Sequence, residues 1–351
     1  MITYRSNIDG PKFSVIITCW NRYDFVEQAI ESVLNQTVQR EFYEIILVTN
    51  VSNDKIERLC SENDVKIIKN NNSKQGPFFL SGIKDSKGEY LVFLNDDDLF
   101  HPTKLFRINS VIDAYGVLAY YHNASCPFGA NVTTDQILEQ SNMNTCDAKL
   151  ELLNAENECG LLKNYFYNYY WAGDSSIAVR KQIVLENEEF LSETDVIDQN
   201  LFYTALYRDK AVSVHDPCAL TFLRVHNSLS NTFSPNFKEF QSRKAYLYSK
   251  QFEDCRNRTN SLGIHTVIHT ISNMEVQLRL IIFAQKNGNL DINSLFFNLD
   301  TLIYINNIKK ITRKSTSLLL LLLSAIRITP IIGSLSPMIY FALNKILGRN
   351  I

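Results

Sequence analysis

The chain has 351 residues, 45% of them hydrophobic, and its 35 basic and 37 acidic side chains leave a formal net charge of -2. That length predicts one large domain with an appendage, or two domains, with ample material for a core. The charge balance excludes a global field for nucleic acid, so no nucleic-acid partner is expected and any anion must be held locally.

The seven cysteines form no CxxC pair, which reads as the reduced thiols of a cytoplasmic protein, not a disulfide framework or a zinc cluster. The start "MITYRSNIDGPKFSV" has no apolar stretch of signal-peptide length after a basic residue, so export is not indicated. From Phe13 the sequence predicts a strand, "FSVIIT", then a break at "CWNR". A helix follows over "DFVEQAIESVLNQ", with Phe25, Val26, Ile30, Val33 and Leu34 at helical spacing. Next come the strand "EIILVT", a helix around "NDKIERLCSEN", the strand "VKIIK", a helix near "PFFLSGIKDSKG" and the strand "YLVFL". Strands that are continuously apolar and alternate with helices predict an α/β fold with a mostly parallel sheet covered on both faces. Ligands of such sheets bind beyond the carboxyl ends of the strands. "TCWNR", "TNVSND" and "NDDD" each follow a strand, so all three are expected at one rim.

After about Asp113 the pattern is irregular, with "YYHNASCPFGANVTT" and the aromatic run "NYFYNYYWAGDSS". Strands return in "SIAVR", "AVSVH" and "ALTFLR", around the helix "DQNLFYTALYR", and are read as part of the same sheet carrying an acceptor surface. From about Pro235 the chain reads as helical. The expected organisation is a domain over 1–235, with halves 1–115 and 116–235, a helical region over 236–351, and a membrane-associating segment over 309–351.

The stretch "EYLVFLNDDDLFHPTKL" ends a buried strand in three adjacent aspartates that repel one another. Such a cluster suits a hard-oxygen site for Mg²⁺ or Mn²⁺, which leave positions for substrate phosphates. The plainer alternative is a solvated acidic turn, with Asp98 capping the helix that "PTKL" begins.

In chain order, "SVIITCWNRYDFVEQAIESVLNQT", "EIILVTNVSND", "GIKDSKGEYLVFLNDDDLFHPTKL" and "TDVIDQNLFYTAL" resemble successive motifs of the family 2 glycosyltransferases, which have the GT-A fold. The resemblance implies an inverting enzyme that uses a nucleotide-sugar donor, a UDP-sugar by default, with Mn²⁺ or Mg²⁺, and a glycan or lipid-linked acceptor. It implies that Thr18, Trp20 and Asn21 contact the nucleotide, Trp20 by stacking on the base, and that Asn50 reads the base edge. "NDDD" then aligns with the family's Asp-x-Asp motif. Asn95 and Asp96 contact the donor and Asp97 binds the metal; a frame shifted by one residue nominates Asp96 and Asp98 instead. Asp198 stands where the family has its general base, with Asp195 as the neighbouring rival. "TFLRVHNSLSN" is similar to a closing Arg-x-His segment, giving His226 to the metal with Arg224 in support. His265 and His269 share a predicted helix face but lack a carboxylate or Cys partner, so they read as surface or core histidines.

Two departures qualify the resemblance. The family's Asp-Asp-Gly-Ser turn is here Thr49, Asn50, Val51 and Ser52, and its Ala-Arg-Asn run is Phe78, Phe79 and Leu80. A catalytically weak or inactive nucleotide- or glycan-binding relative is therefore the alternative. A nucleotidyltransferase is a further one, disfavoured because "CWNRYDF" is no Gly-rich phosphate loop. At the C-terminus, Lys309, Lys310, Arg313 and Lys314 precede a nearly apolar run that Arg327, Pro330 and Pro337 interrupt, so neither half reaches the roughly 20 residues of a span. Peripheral or re-entrant contact with the inner face of the cell membrane is expected, with a buried oligomer contact or a single tilted span as alternatives.

Overall fold

The computed structural model describes residues 10–129, 137, 149–153, 172–225, 236–263, 267–283, 318–319, 321–322 and 335–347. The chain divides into two units: Met1–Ala155 with Tyr170–His226, and Glu156–Tyr169 with Asn227–Ile351.

In the first unit, β1 (Phe13–Cys19), β2 (Tyr43–Thr49), β3 (Val65–Lys69) and β4 (Tyr90–Asn95) form the parallel half of a sheet in the order β3-β2-β1-β4. Every residue of β1 is buried, as a central strand covered on both faces requires. Phe13, Val15, Ile17 and Cys19 share one cluster with Val26, Ala29, Ile30 and Val33 of helix α1 (Val26–Leu34). The other face meets α3 (Gln75–Asp85), where Gly82 lies so close that a Cβ on it would stand 2.7 Å from Val48 Cγ2 and 3.1 Å from Ile16 Cγ2. Between them α2 (Asp54–Glu62) is capped by Asn53, whose side chain accepts from the Lys55 and Ile56 amides.

Beyond β4 the sheet is mixed, which refines the mostly parallel expectation. β5 (Leu99–Phe100), β6 (Leu118–Gly129), β7 (Glu151–Leu153), β8 (Ile177–Arg180) and β9 (Val212–Val225) extend it in the order β4-β8-β6-β9-β5, with β7 also on β9. Of these pairs only β6–β9 is parallel. The predicted strands "AVSVH" and "ALTFLR" are one continuous strand, β9. Helix α4 (Lys104–Tyr115) has Thr103, not Asp98, at its N-cap position, so Asp98 does not cap it; it ends where Gly116 adopts φ 80°. Helices α5 (Lys181–Glu186), α6 (Glu188–Ser192) and α7 (Ile197–Arg208) complete this unit among the described residues.

Cys218 is disulfide-bonded, against the expectation of reduced thiols, while Cys19, Cys60, Cys126 and Cys255 are free. Spacing reports only local pairs, whereas a disulfide needs two Cα atoms brought within about 4.4–6.8 Å by the fold.

The second unit contains α8 (Phe237–Leu262), α9 (Val267–Phe283) and α10 (Leu335–Leu347). Phe240, Phe283, Tyr340 and Phe341 form its aromatic core. The half-buried Arg279 donates to Tyr340 Oη at 3.1 Å. His269 is a core histidine, with Arg258 Nε 3.4 Å from its Nε2; His265 lies outside the described residues. No helix among the described residues is long and apolar enough to cross a membrane, and Pro337 sits in the first turn of α10, where proline is tolerated.

Candidate active site

Adjacent carboxylates about 4 Å apart repel by about 4 kcal/mol at an effective protein dielectric near 20, so the acidic end of β4 needs compensation. Asp96, Asp97 and Asp98 are 4%, 9% and 6% exposed, which removes water as the main source. The compensation among the described residues comes from two arginines and a serine. Arg22, in the turn between β1 and α1, donates from Nε to Asp96 Oδ2 at 2.7 Å and from Nη2 to Asp96 Oδ1 at 2.8 Å. The same Nη2 lies 2.5 Å from Asp97 Oδ2. Asp98 accepts from Ser175 Oγ at 2.6 Å and from the Arg224 amide at 3.1 Å. Arg224 Nε donates to the Asp97 carbonyl at 2.9 Å, and its guanidinium stands 4.3 Å and 4.5 Å from the Phe25 and Phe128 rings.

Burial sets the proton affinities of this row, and the arginines oppose it. Burial raises the Asp96 pKa, while hydrogen bonds and charge from Arg22 pull it back. Burial, then the charge of Asp97, pushes Asp98 up to about 7, against its bonds from Ser175 and the Arg224 amide. For Arg22 burial acts downward, but the bonds and charges of Asp96 and Asp97 outweigh it and hold the guanidinium above its ordinary value.

Ser175 ties the row to a second set of groups, in a short 3-10 turn at Asp174–Ser176. Its Oγ also accepts from the Asn95 amide at 3.0 Å, and its carbonyl accepts from Thr221 Oγ1 and from Lys104 Nζ. Lys104 is fully buried, 3.9 Å from the Phe100 ring, and burial lowers its pKa well below the ordinary lysine value. Asp174 is hydrogen-bonded by the Asn95 side chain, yet its pKa is raised, by burial first and then by the charges of Asp198 and Asp98.

Asp198 occupies the first turn of α7 and accepts from the Gly173 amide at 3.1 Å and from its neighbour's amide, Gln199, at 2.7 Å. It thus stands beside the same 172–174 segment that carries Asp174. The segment is held from behind by His122, whose Nε2 meets the Ala172 carbonyl at 3.0 Å and whose Nδ1 lies 2.9 Å from His215 Nδ1. A carbonyl can only accept, so His122 carries its proton on Nε2 and His215 donates from Nδ1. Burial lowers both histidines, to about 3 and about 4, which keeps the pair neutral near pH 7.

The other predicted donor contacts line the ends of β1 and β2. Thr18 donates to Asn95 Oδ1 at 3.2 Å, and its carbonyl accepts from the Asp96 amide at 3.0 Å. Trp20 is half-buried, with its ring edge-on to Phe78 at 5.2 Å. Asn21 adopts φ 57°, and it forms a reciprocal pair with Asn50. The Asn21 amide donates to Asn50 Oδ1 at 2.8 Å, and Asn50 Nδ2 donates to Asn21 Oδ1 at 2.6 Å. Phe78, Phe79 and Leu80, where the family has its arginine, are buried apolar residues.

The structure therefore brings Thr18, Asn95, Asp96, Asp97 and Asp198 to one rim, with Asn21 and Asn50 paired beside it. His226 and the aromatic run Tyr165–Trp171 lie outside the described residues. Sequence reasoning missed Arg22, Asp174, Ser175 and Lys104. Of these only Arg22 left a signal, as a cation in the strand-end turn "TCWNR". Among the described residues no group of three or more His, Cys, Asp and Glu side chains is arranged to hold a metal ion. The donor chemistry still fits a hard divalent cation in part, because Asp97 offers a carboxylate at the rim and such ions take most other ligands from phosphates and water.

Residues 14–153 match the family model "Glycosyl transferase family 2". The chain carries a family 2 glycosyltransferase domain. A glycosyltransferase of Rickettsia bellii, uncharacterized, is 41% identical over 98 residues, which cover 27% of this chain and 14% of that protein. The poly(ribitol-phosphate) beta-N-acetylglucosaminyltransferase TarP of Staphylococcus aureus is 36% identical over 100 residues, 27% of this chain and 31% of that protein. The chain thus matches less than a third of the length of either relative. Among solved structures, S. aureus TarS 1-349 in complex with UDP-GlcNAc superposes with a TM-score of 0.55 at 15% identity, covering 96% of this chain and 92% of that one. The mannosyltransferase PcManGT from Pyrobaculum calidifontis, in complex with GDP-Man and Mn2+, gives 0.50 at 11% identity, covering 97% and 88%. At such identities the likeness is one of fold, and the fold of the family 2 domain is the GT-A type.

Proposed function

We propose that this chain is an inverting glycosyltransferase that moves a sugar from a nucleoside-diphosphate donor to a hydroxyl of a glycan or lipid-linked acceptor. The observation that carries the reading is the meeting, at one rim, of the acidic end of β4 with Asp198 through Asn95, Asp174 and Gly173. One site for a departing diphosphate and one carboxylate base are what the reaction needs. Asp198 takes the proton of the acceptor hydroxyl as its oxygen bonds to the anomeric carbon. The bond from that carbon to the donor's phosphate oxygen breaks, and the electron pair leaves with the diphosphate. Thr18, Asn95 and Asp96 orient the donor, and Trp20, Asn21 and Asn50 border its base. Asp97, with His226, would hold Mn²⁺ or Mg²⁺, which supplies positive charge for the departing diphosphate when bound.

A UDP-sugar is the default donor, supported by the UDP-GlcNAc complex of TarS, with GDP-mannose as the contrast set by PcManGT. Thermal unfolding of the full chain with Mn²⁺ and a panel of nucleotide sugars tests this. A true donor at a hundredfold excess over its Kd stabilises the folded state by about 2.7 kcal/mol. A panel in which no nucleotide sugar shifts the melt, with or without Mn²⁺, would overturn the reading.

The reading includes contact with the inner face of the cell membrane through the basic group Lys309, Lys310, Arg313 and Lys314. Each such residue near an anionic leaflet contributes about 1 kcal/mol. Deleting residues 309–351 is a poor test, because it removes the buried Tyr340 from its core and from Arg279. Changing the four residues to Glu is cleaner. The variant is expected to stop floating with phosphatidylserine vesicles that carry the unaltered chain; equal flotation of both would exclude the contact.

A further inference from the structure

We propose that Arg22 makes cation uptake at this site conditional on the nucleotide, an inference that rests on the glycosyltransferase reading above. The guanidinium grips both oxygens of Asp96 and reaches Asp97 Oδ2 with the same Nη2 that serves Asp96. Asp96 is almost fully buried, whereas a quarter of the Arg22 side chain is exposed. The arginine therefore faces the rim from the solvent side and the carboxylate lies beneath it. A planar fork of this kind holds a carboxylate through two parallel charge-assisted bonds, which a lysine ammonium cannot reproduce.

The consequence is electrostatic. Pairing cancels the charge of Asp96, so the row offers a cation much less than three aspartates suggest. A fixed positive group also stands against the Asp97 carboxylate that a cation would use. A bare divalent ion approaching Asp97 meets that guanidinium at short range. A nucleoside diphosphate reverses the balance in two ways: it brings negative charge and hard oxygen ligands for the ion, and it gives Arg22 phosphate oxygens to turn to. Trp20 and Asn21, assigned to the same nucleotide, share the turn with Arg22, so the group is within the same rim. Cation and nucleotide then enter together, and neither is held strongly alone.

The rival explanation is that Arg22 only staples the β1–α1 turn to β4. The two differ in sign. A staple, once cut, loosens the row and weakens Mn²⁺ binding or leaves it unchanged. A counter-ion, once removed, strengthens Mn²⁺ binding in the absence of nucleotide.

The test titrates Mn²⁺ into the full chain and reads free Mn²⁺ by electron paramagnetic resonance, with and without UDP, GDP or CDP. In the unaltered protein, one nucleotide is expected to raise Mn²⁺ affinity by about tenfold or more, a coupling of about 1.4 kcal/mol. Arg22→Gln is expected to raise nucleotide-free Mn²⁺ affinity by a similar factor and to shrink the gain from nucleotide. Arg22→Lys, which keeps the charge without the fork, is expected to fall between, and it carries the test if Arg22→Gln does not fold by circular dichroism. An unchanged or lower nucleotide-free affinity in the variant that folds overturns the role of Arg22 alone. Absence of Mn²⁺ uptake by the unaltered protein with every nucleotide overturns both this inference and the metal-assisted reading beneath it.

Discussion

Replacing Asp198 by Asn is expected to lower the turnover of sugar transfer by about 10² to 10⁴-fold, the usual contribution of a positioned general base, while nucleotide affinity changes by no more than a few-fold. The amide is nearly isosteric with the carboxylate, and its single oxygen can still accept from the Gly173 or the Gln199 amide, which share the two oxygens now. What it cannot do is take a proton from an acceptor hydroxyl. The NH₂ then faces the other amide, a cost kept small because Asp198 is only half-buried and because the change removes a negative charge that raises the pKa of the buried Asp174. Turnover is read from acceptor glycosylation, and binding from calorimetry with the donor found by thermal shift. A variant that transfers at more than a tenth of the normal rate would move the base elsewhere, first to Asp195. A variant that neither binds nor transfers would mean that Asp198 shapes the site instead of acting in it. The same experiment separates the enzyme from a binding relative. An inactive relative would show no turnover to lose.

The second large effect is expected at Asp97, and its neighbour provides the control. Asp97→Asn should abolish the Mn²⁺-dependent part of donor binding and lower transfer by about a thousandfold, because a hard divalent ion prefers a charged oxygen ligand to a neutral amide. Asp98→Asn should act on stability instead. Both oxygens of Asp98 already accept, from Ser175 Oγ and the Arg224 amide; with the amide oxygen kept on the Arg224 N–H, the NH₂ turns to Ser175 Oγ and the Ser175 hydroxyl proton loses its acceptor. Leaving one buried donor unsatisfied costs about 1–3 kcal/mol. The measurements are donor affinity with and without Mn²⁺, and the unfolding midpoint. If Asp98→Asn destroys Mn²⁺-dependent binding while Asp97→Asn keeps it, the frame of the acidic motif is shifted by one residue.

The two departures from the family pattern look different once Arg22 and Arg224 are in view. Phe78, Phe79 and Leu80 fill the core at the position of the absent arginine. Positive charge next to the acidic row comes instead from the β1–α1 turn and from the end of β9. Asn50, in place of an acid, is engaged with Asn21 in a mutual amide pair, so this position presents an oriented donor and acceptor and no carboxylate.

The sequence by itself determined the parallel half of the fold and the rim at which the site lies. Strands such as "FSVIIT" and "YLVFL" are apolar at every position, and α1 repeats its apolar residues at helical spacing. Burial of each element is thus a local property that periodicity reports. It also placed a base candidate on the first turn of a helix and an acidic row at a strand end. Only the tertiary structure decided who neutralises whom. Arg22 meets Asp96 across 74 positions, Ser175 meets Asp98 across 77, and Arg224 meets Asp98 across 126. The first pairing follows from the parallel β1–β4 neighbours, the second from β8 lying antiparallel to β4, which brings 172–176 against its end, and the third from β9 lying antiparallel to β5. Strand order and register arise from packing between distant segments, and no local pattern of residues encodes them.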